Sequence, residues 1–138
     1  MYSIHIKEVV NLRFTDSELQ IMELFWSSEK PLSSPDILKL SPADKSWKDN
    51  SIYIMIQTLQ KKDAIREIGA VKGEKGKYLR LFEPTLSRQE YYTKQLAGSL
   101  DSKSVPVLFS ALIKDVELDK ESISELEDIL KRKKAEIK

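Results

Sequence analysis

The sequence predicts a mainly α fold with one small β-hairpin: a winged helix-turn-helix followed by a three-helix C-terminal region. Three observations carry this expectation. Apolar residues recur at helical spacing in three segments between Thr15 and Lys62. Two strand-like runs, "AIREIGAV" and "KYLRLFEP", then flank a tip rich in glycine and lysine. After Pro84 the only glycine is Gly98, and three further helical stripes follow.

The first helix starts in "FTDSELQIMELFW". Thr15 is placed to cap it and Glu18 to return the bond three residues later, a capping box. Leu19, Met22 or Glu23, and Trp26 repeat along it, and Ile21, Leu24 and Phe25 widen its apolar face. "SSEKPL" breaks the helix. A short second helix is expected in "SSPDILKL", with Ser34 as cap and Pro35 in the first turn, where proline is tolerated. "SPADKSW" reads as a loop. The third helix runs from about Lys48 to Lys62, with Ile52, Met55, Ile56 and Leu59 facing inward. The strand "AIREIGAV", the tip within "VKGEKGKYLR" and the strand "KYLRLFEP" follow, the last halted by Pro84.

Three helices and then a hairpin, in that order, make a winged helix-turn-helix with the tip as its wing. Beyond Pro84, helices are expected over Ser87 to about Leu100, over Val105 to Val116, and from Asp119 onward. The last carries Ile123, Leu126, Leu130 and Ile137 on one stripe. Short helices of this kind bury such stripes poorly by themselves. A partner chain is the simplest remedy, and two-fold dimers are the commonest form. The expected division is therefore 1–84 as the winged helix-turn-helix domain and 85–138 as a helical dimerisation domain.

Composition narrows the chemistry. The chain has 138 residues, 41% apolar and 33% charged, and contains no cysteine, so disulfides, thiolate metal sites and cysteine nucleophiles are excluded. No apolar run approaches the ~20 residues of a membrane span. "MYSIHIKEVVNL" lacks the apolar core of a secretion signal, which gives a cytoplasmic expectation and no membrane partner. The only histidine, His5, is expected at the surface or on an edge strand. Glu121, Glu125, Glu127 and Asp128 fall on the solvent side of the last helix. "GEKGK" lacks the strand and helix context of a phosphate loop. No catalytic residue, metal ligand or cofactor is expected, so the chain does not read as an enzyme.

The net charge of +1 conceals an asymmetry. Between Lys45 and Arg80 nine Lys or Arg stand against four acids, so this span carries +5 and the remainder −4. A basic face on an otherwise acidic protein suits a nucleic-acid partner. In a helix-turn-helix the second helix of the pair enters the major groove. Its exposed residues here would be Asn50, Ser51, Ile54 and Gln57 or Thr58, with Lys48 and Lys61 at its ends. Asn50 and Gln57 match adenine edges, and Ser51 can bond several bases. Ile54 would serve either as extra core packing or as a contact to a thymine methyl. Tyr53 would either bond a phosphate or pack under the wing. On the wing, Lys72, Lys75 and Lys77 would pair with phosphates or reach the minor groove.

From Phe14 to Leu130 the chain resembles the penicillinase-repressor family of bacterial transcription repressors. "TDSELQIMELFW" is similar to the family's first-helix signature, an acid, then Glu-Leu, then a closing Trp. Trp47 followed by "SIYIMIQTLQKKDAI" resembles its recognition-helix pattern, with Ile54 and Thr58 standing where the family has Thr and Arg, and Asp63 where it has Gly. "FEPTLSRQEY" resembles the segment linking its two domains, with Phe82 for Tyr. "ISELEDIL" is similar to its final dimerisation helix. The resemblance implies a homodimer that represses transcription from an inverted-repeat DNA operator. It also implies a regulatory protease for some members, whose Asn-Phe cleavage site corresponds to Ala111-Leu112 here. The paired Cys-x-Cys motifs of copper-responsive members have no counterpart.

The expected dimer contacts are Leu96, Leu108, Leu112, Ile123, Leu126 and Leu130, part of which would also serve as intrachain core. Two other functions stay open at this level. One is a winged-helix protein-interaction module without DNA binding, since fold does not fix function. The other is a repressor that senses a small ligand.

Overall fold

The computed structural model describes residues 12–137. Among them lie six α-helices and two strands: α1 (Asp16–Ser27), α2 (Ser34–Leu40), α3 (Ile52–Lys61), β1 (Ile65–Lys72), β2 (Tyr78–Pro84), α4 (Arg88–Ala97), α5 (Ser104–Asp115) and α6 (Lys120–Glu136). The order is that of a winged helix-turn-helix followed by helices. His5 and the stretch "MYSIHIKEVVN" fall outside the described residues.

Three helices start with reciprocal capping, which satisfies backbone N–H groups that a helix leaves without partners. At α1 the Glu18 N–H donates to Thr15 Oγ1 (3.1 Å) and the Thr15 N–H donates to Glu18 Oε1 (2.9 Å). At α4, Ser87 and Glu90 repeat the arrangement. At α2 the cap is Ser33 rather than the expected Ser34. Asp36 decides this, because it stands three residues after Ser33 and accepts the Ser33 N–H at 2.9 Å. Pro35 stays in the first turn, where the missing N–H costs no bond.

The recognition helix begins differently from the expected unbroken span. Asp49–Ser51 form a single 3₁₀ turn, and α3 proper starts at Ile52. Ile52, Ile56 and Leu59 are buried, and Met55 packs half-buried against the same core. With Ile21, Met22 and Phe25 of α1, Ile37 of α2, and Ile65 and Phe82 of the hairpin, they form one apolar core. Trp47 is buried beside it, and its indole N–H has no protein partner among the described residues.

The end of α3 is a Schellman motif. The Ala64 N–H donates to the Leu59 carbonyl and the Asp63 N–H to the Gln60 carbonyl, both at 2.9 Å. Asp63 carries the left-handed backbone this closure needs, with φ 61°. Glycine adopts that conformation without a Cβ clash, so Asp63→Gly is expected to stabilise the fold by about 0.5–1 kcal/mol. Paired thermal melts of the variant and the wild type check this.

Lys62, at the same helix end, holds α3 to α1. Its Nζ lies 2.6 Å from Glu18 Oε1 and 3.2 Å from the Arg13 carbonyl. Burial pushes the Glu18 carboxyl up, but the Lys62 ammonium and the Thr15 N–H outweigh it and hold it below its ordinary 4.5. A depressed carboxylate contributes stability that is complete above its unfolded value and is lost as the pH falls through the folded one. Lys62→Met would leave a buried carboxylate without its cation, at an expected cost of about 2–3 kcal/mol at pH 7. Denaturant midpoints measured downward in pH should show the gap to the wild type closing below about 4.5.

The hairpin is antiparallel, pairing Ile65 with Pro84 and Lys72 with Tyr78, with a register shift between Glu67 and Gly69. Only Ile65 of β1 is buried. The base of the hairpin is fixed, because Leu32 and Phe82 exchange both backbone bonds at 2.9 Å. Past that point both faces of β1 meet solvent, which makes the hairpin a projecting wing. At its tip Lys75 and Gly76 both take left-handed backbone (φ 63° and 76°), and the Gly73 N–H donates to the Lys77 carbonyl at 2.6 Å.

The chain divides into two compact units, one ending at Gly98 and the other beginning at Ser99. Helix α4 therefore belongs to the winged-helix unit. Its Tyr91 is buried and stacks on Phe14 (4.7 Å between ring centroids), while Trp26 Nε1 donates to the Leu86 carbonyl at 2.9 Å. Arg88 pairs with Glu23 of α1 at 2.8 Å. Leu96, on α4, thus lies in this unit.

In the second unit neither α5 nor α6 contains a buried residue. Asp119 caps α6, its Oδ1 accepting the Ser122 N–H at 2.7 Å. Ile137 does not continue the apolar stripe of α6, because it is the C-cap and takes extended backbone (φ −87°, ψ 124°). Ala111 and Leu112 lie inside α5.

Candidate nucleic-acid interface

The geometry sorts the cations between Lys45 and Arg80 into two groups. Four pair with acids of the same chain: Lys45 with Asp49, Lys62 with Glu18, Arg66 with Glu83 and Arg80 with Glu67, all at 2.6–2.8 Å. The two arginine pairs run across the hairpin, so both guanidinium groups of the wing are neutralised internally. Among the described residues the other five, Lys48, Lys61, Lys72, Lys75 and Lys77, have no carboxylate partner. They are the five lysines expected from the sequence to contact DNA, the three of the wing through phosphates. Lys48 and Lys61 flank the recognition helix, and the other three cluster at the wing tip. All five are exposed. Within this span the unneutralised charge therefore lies at the ends of the recognition helix and on the hairpin tip, the two elements that a winged helix presents to a duplex.

Between the lysines lie the groups suited to base edges. Asn50 and Gln57 are exposed on the recognition helix and its entry turn, and Ser51 is half-buried in that 3₁₀ turn. Ile54 is 68% exposed, so it is not core packing. Tyr53 is 72% exposed and does not pack under the wing. It lines a groove between recognition helix and wing together with Gln57, Gln60, Tyr78 and Arg80. Thr58 is placed differently from its neighbours. It is half-buried, and its hydroxyl donates to the Ile54 carbonyl at 2.9 Å, so that proton is engaged within the helix.

Sequence reasoning missed Tyr78, which is 73% exposed on β2. The alternation of "KYLRLFEP" was the available signal, since Leu79 and Leu81 are less exposed than Tyr78 and Arg80. Of the residues expected to bind DNA, the winged-helix unit brings all ten onto the recognition helix, its entry turn and the wing.

The second unit holds the remaining expected contacts. Leu112 (48%), Ile123 (44%) and Leu130 (60%) are exposed, and Leu108 and Leu126 are half-buried. Val107 (72%) and Ile129 (51%) are further exposed apolar residues that the single-stripe reading did not include. Among the described residues no helix is long and apolar enough to cross a membrane.

Solved structures similar to this chain include the following two. One is of Staphylococcus aureus MarR in complex with salicylate and kanamycin, at 14% identity and a TM-score of 0.40, covering 92% of this chain and 74% of that one. The other is of a point mutant of MepR from a multidrug-resistant S. aureus clinical isolate, at 13% identity and a TM-score of 0.42, covering 100% of this chain and 90% of that one. No curated protein sequence matches the chain. The penicillinase repressor family model matches residues 14–132, which span both units described above. The chain therefore belongs to the penicillinase repressor family, a family of transcriptional repressors and not of enzymes.

Proposed function

We propose that this chain is a sequence-specific DNA-binding repressor that acts as a homodimer on an inverted-repeat operator. The observation that supports this best is the sorting of charge. Between Lys45 and Arg80, the four cations that the fold neutralises lie off the expected contact set, and the five left without a carboxylate partner among the described residues lie at the ends of the recognition helix and on the wing. The recognition helix enters the major groove, Asn50 and Gln57 meet base edges, and the wing lysines hold the sugar-phosphate backbone.

The residues from Ser99 onward supply the dimer. Helices that bury nothing of their own leave an apolar surface that a second copy covers, and two-fold pairing presents two recognition helices to half-sites about one turn of DNA apart. The test is an anisotropy titration of the full chain against promoter DNA of its own operon, at two salt concentrations. Tight binding to one fragment that weakens with salt supports the repressor. Binding no better than to random DNA at low salt would overturn it in favour of a protein-interaction module.

A further inference from the structure

We infer that Ile54 reads the 5-methyl group of a thymine, placing a T·A pair at a fixed position in each half-site beside an adenine read by Gln57. This rests on the DNA-binding proposal and specifies what the recognition helix recognises.

The inference starts from the position of one exposed aliphatic side chain. Ile54 is 68% exposed, and what sets it apart is its place in the middle of the recognition helix between the residues suited to base edges. Its exposed apolar neighbour on the helix is Tyr53, which carries a hydroxyl, and no aliphatic residue adjoins it along its own face. The residues one turn away on either side are Asn50 and Ser51 before it, and Gln57 and Thr58 after it. It stands on the crest of the helix, lining both the groove toward the wing and the hollow toward Trp47 and α1. Lys48 lines the hollow on one side of it, Gln57, Gln60 and Arg80 line the groove on the other, and Lys61 stands seven residues on, a polar and basic setting that suits a polyanion. On the major-groove edge of a polyanionic duplex the apolar group is the thymine methyl.

Two details sharpen the choice. A β-branched side chain in a helix has one strongly preferred rotamer, so Ile54 offers a methyl surface at a defined place with little entropy left to lose. Thr58, the neighbour that could have competed for the same edge by hydrogen bonding, has its hydroxyl proton committed to the Ile54 carbonyl. Gln57 lies three residues on, about 4.5 Å along the helix axis, which is close to one base-pair step of ~3.4 Å. Its amide is the bidentate partner for adenine N6 and N7. The thymine and the adenine therefore fall within one or two steps of each other.

The experiment uses the full chain. A duplex site is first selected from a random library, and each thymine in it is then replaced singly by uracil, which removes only the methyl. Binding is followed by anisotropy for the wild type and for Ile54→Ala, with thermal melts confirming that the variant is folded. Uracil at one symmetry-related pair of positions should weaken wild-type binding roughly fourfold per methyl, the gain from burying one methyl-sized group. Ile54→Ala should bind the thymine and uracil sites equally. The inference is overturned if no uracil replacement changes wild-type affinity, or if Ile54→Ala keeps the full uracil penalty. Failure to select any sequence would sink the repressor proposal as well, so the two failures are distinguishable.

Discussion

Replacing Lys72 and Lys75 together by glutamate is expected to weaken operator binding roughly 100-fold at about 0.1 M salt, without unfolding the protein. Both side chains are exposed and, among the described residues, neither pairs with a carboxylate, so the substitution breaks no intrachain ion pair. Each lysine that meets a phosphate releases condensed counterions, and two lost contacts should lower the slope of log K against log salt by about two. Reversing the charge adds repulsion to that loss. A useful contrast is Arg66→Gln. Its guanidinium is already held by Glu83 at 2.7 Å, so its loss should leave the salt slope near that of the wild type. If the double glutamate variant bound DNA as tightly as the wild type, the wing would have no part in recognition. Isothermal titrations at three salt concentrations separate these outcomes.

Disrupting the apolar face of α6 should have an effect as large, by a different route. Leu126→Asp with Leu130→Asp places two charges where the proposed partner helix packs. A dimer interface of standard size buries about 800 Å² per partner, and two desolvated carboxylates without cations would cost more than it returns. Sedimentation equilibrium is expected to show a monomer at concentrations where the wild type is a dimer. Affinity for the full operator should then fall by roughly 10²–10⁴, because the second half-site is no longer bound from the same molecule. Affinity for an isolated half-site should change little, since neither leucine is in the winged-helix unit. A variant that remained dimeric would place the interface elsewhere on the second unit. The exposed apolar residues of α5, Val107 above all, would then be the next surface to charge.

The sequence already determined much of the first unit. Capping boxes and helical spacing are local, since they depend on residues three or four apart, and so the starts of α1 and α4 could be read directly. The hairpin was legible for the same reason, from two short β-prone runs around glycines. Asp63 was recognisable as a residue in a glycine's place, and its φ of 61° shows the left-handed backbone that the place imposes. At α2 the expected cap, Ser34, was one residue late, and the cap is Ser33. The acid at Asp36 decides this by reaching back to Ser33.

What only the tertiary structure decided was which charges and which apolar groups remain unspent. A lysine's sequence context does not say whether a carboxylate from another element will come within hydrogen-bonding reach. Glu18 is 44 residues from Lys62, and Glu83 is 17 from Arg66, yet those pairings separate structural cations from available ones. The fate of Ile54 was undecidable for the same reason. A helix has one buried stripe, and its width depends on what packs against it. Ile52, Ile56 and Leu59 fill the space that α1, α2 and the hairpin base leave, and Ile54 stays outside. The placement of α4 followed from the stacking of Tyr91 on Phe14, a contact 77 residues apart in the chain. Sequence thus set the elements, because their physics is local. The assembled fold set the interface, because burial and ion pairing are properties of neighbours that only folding brings together.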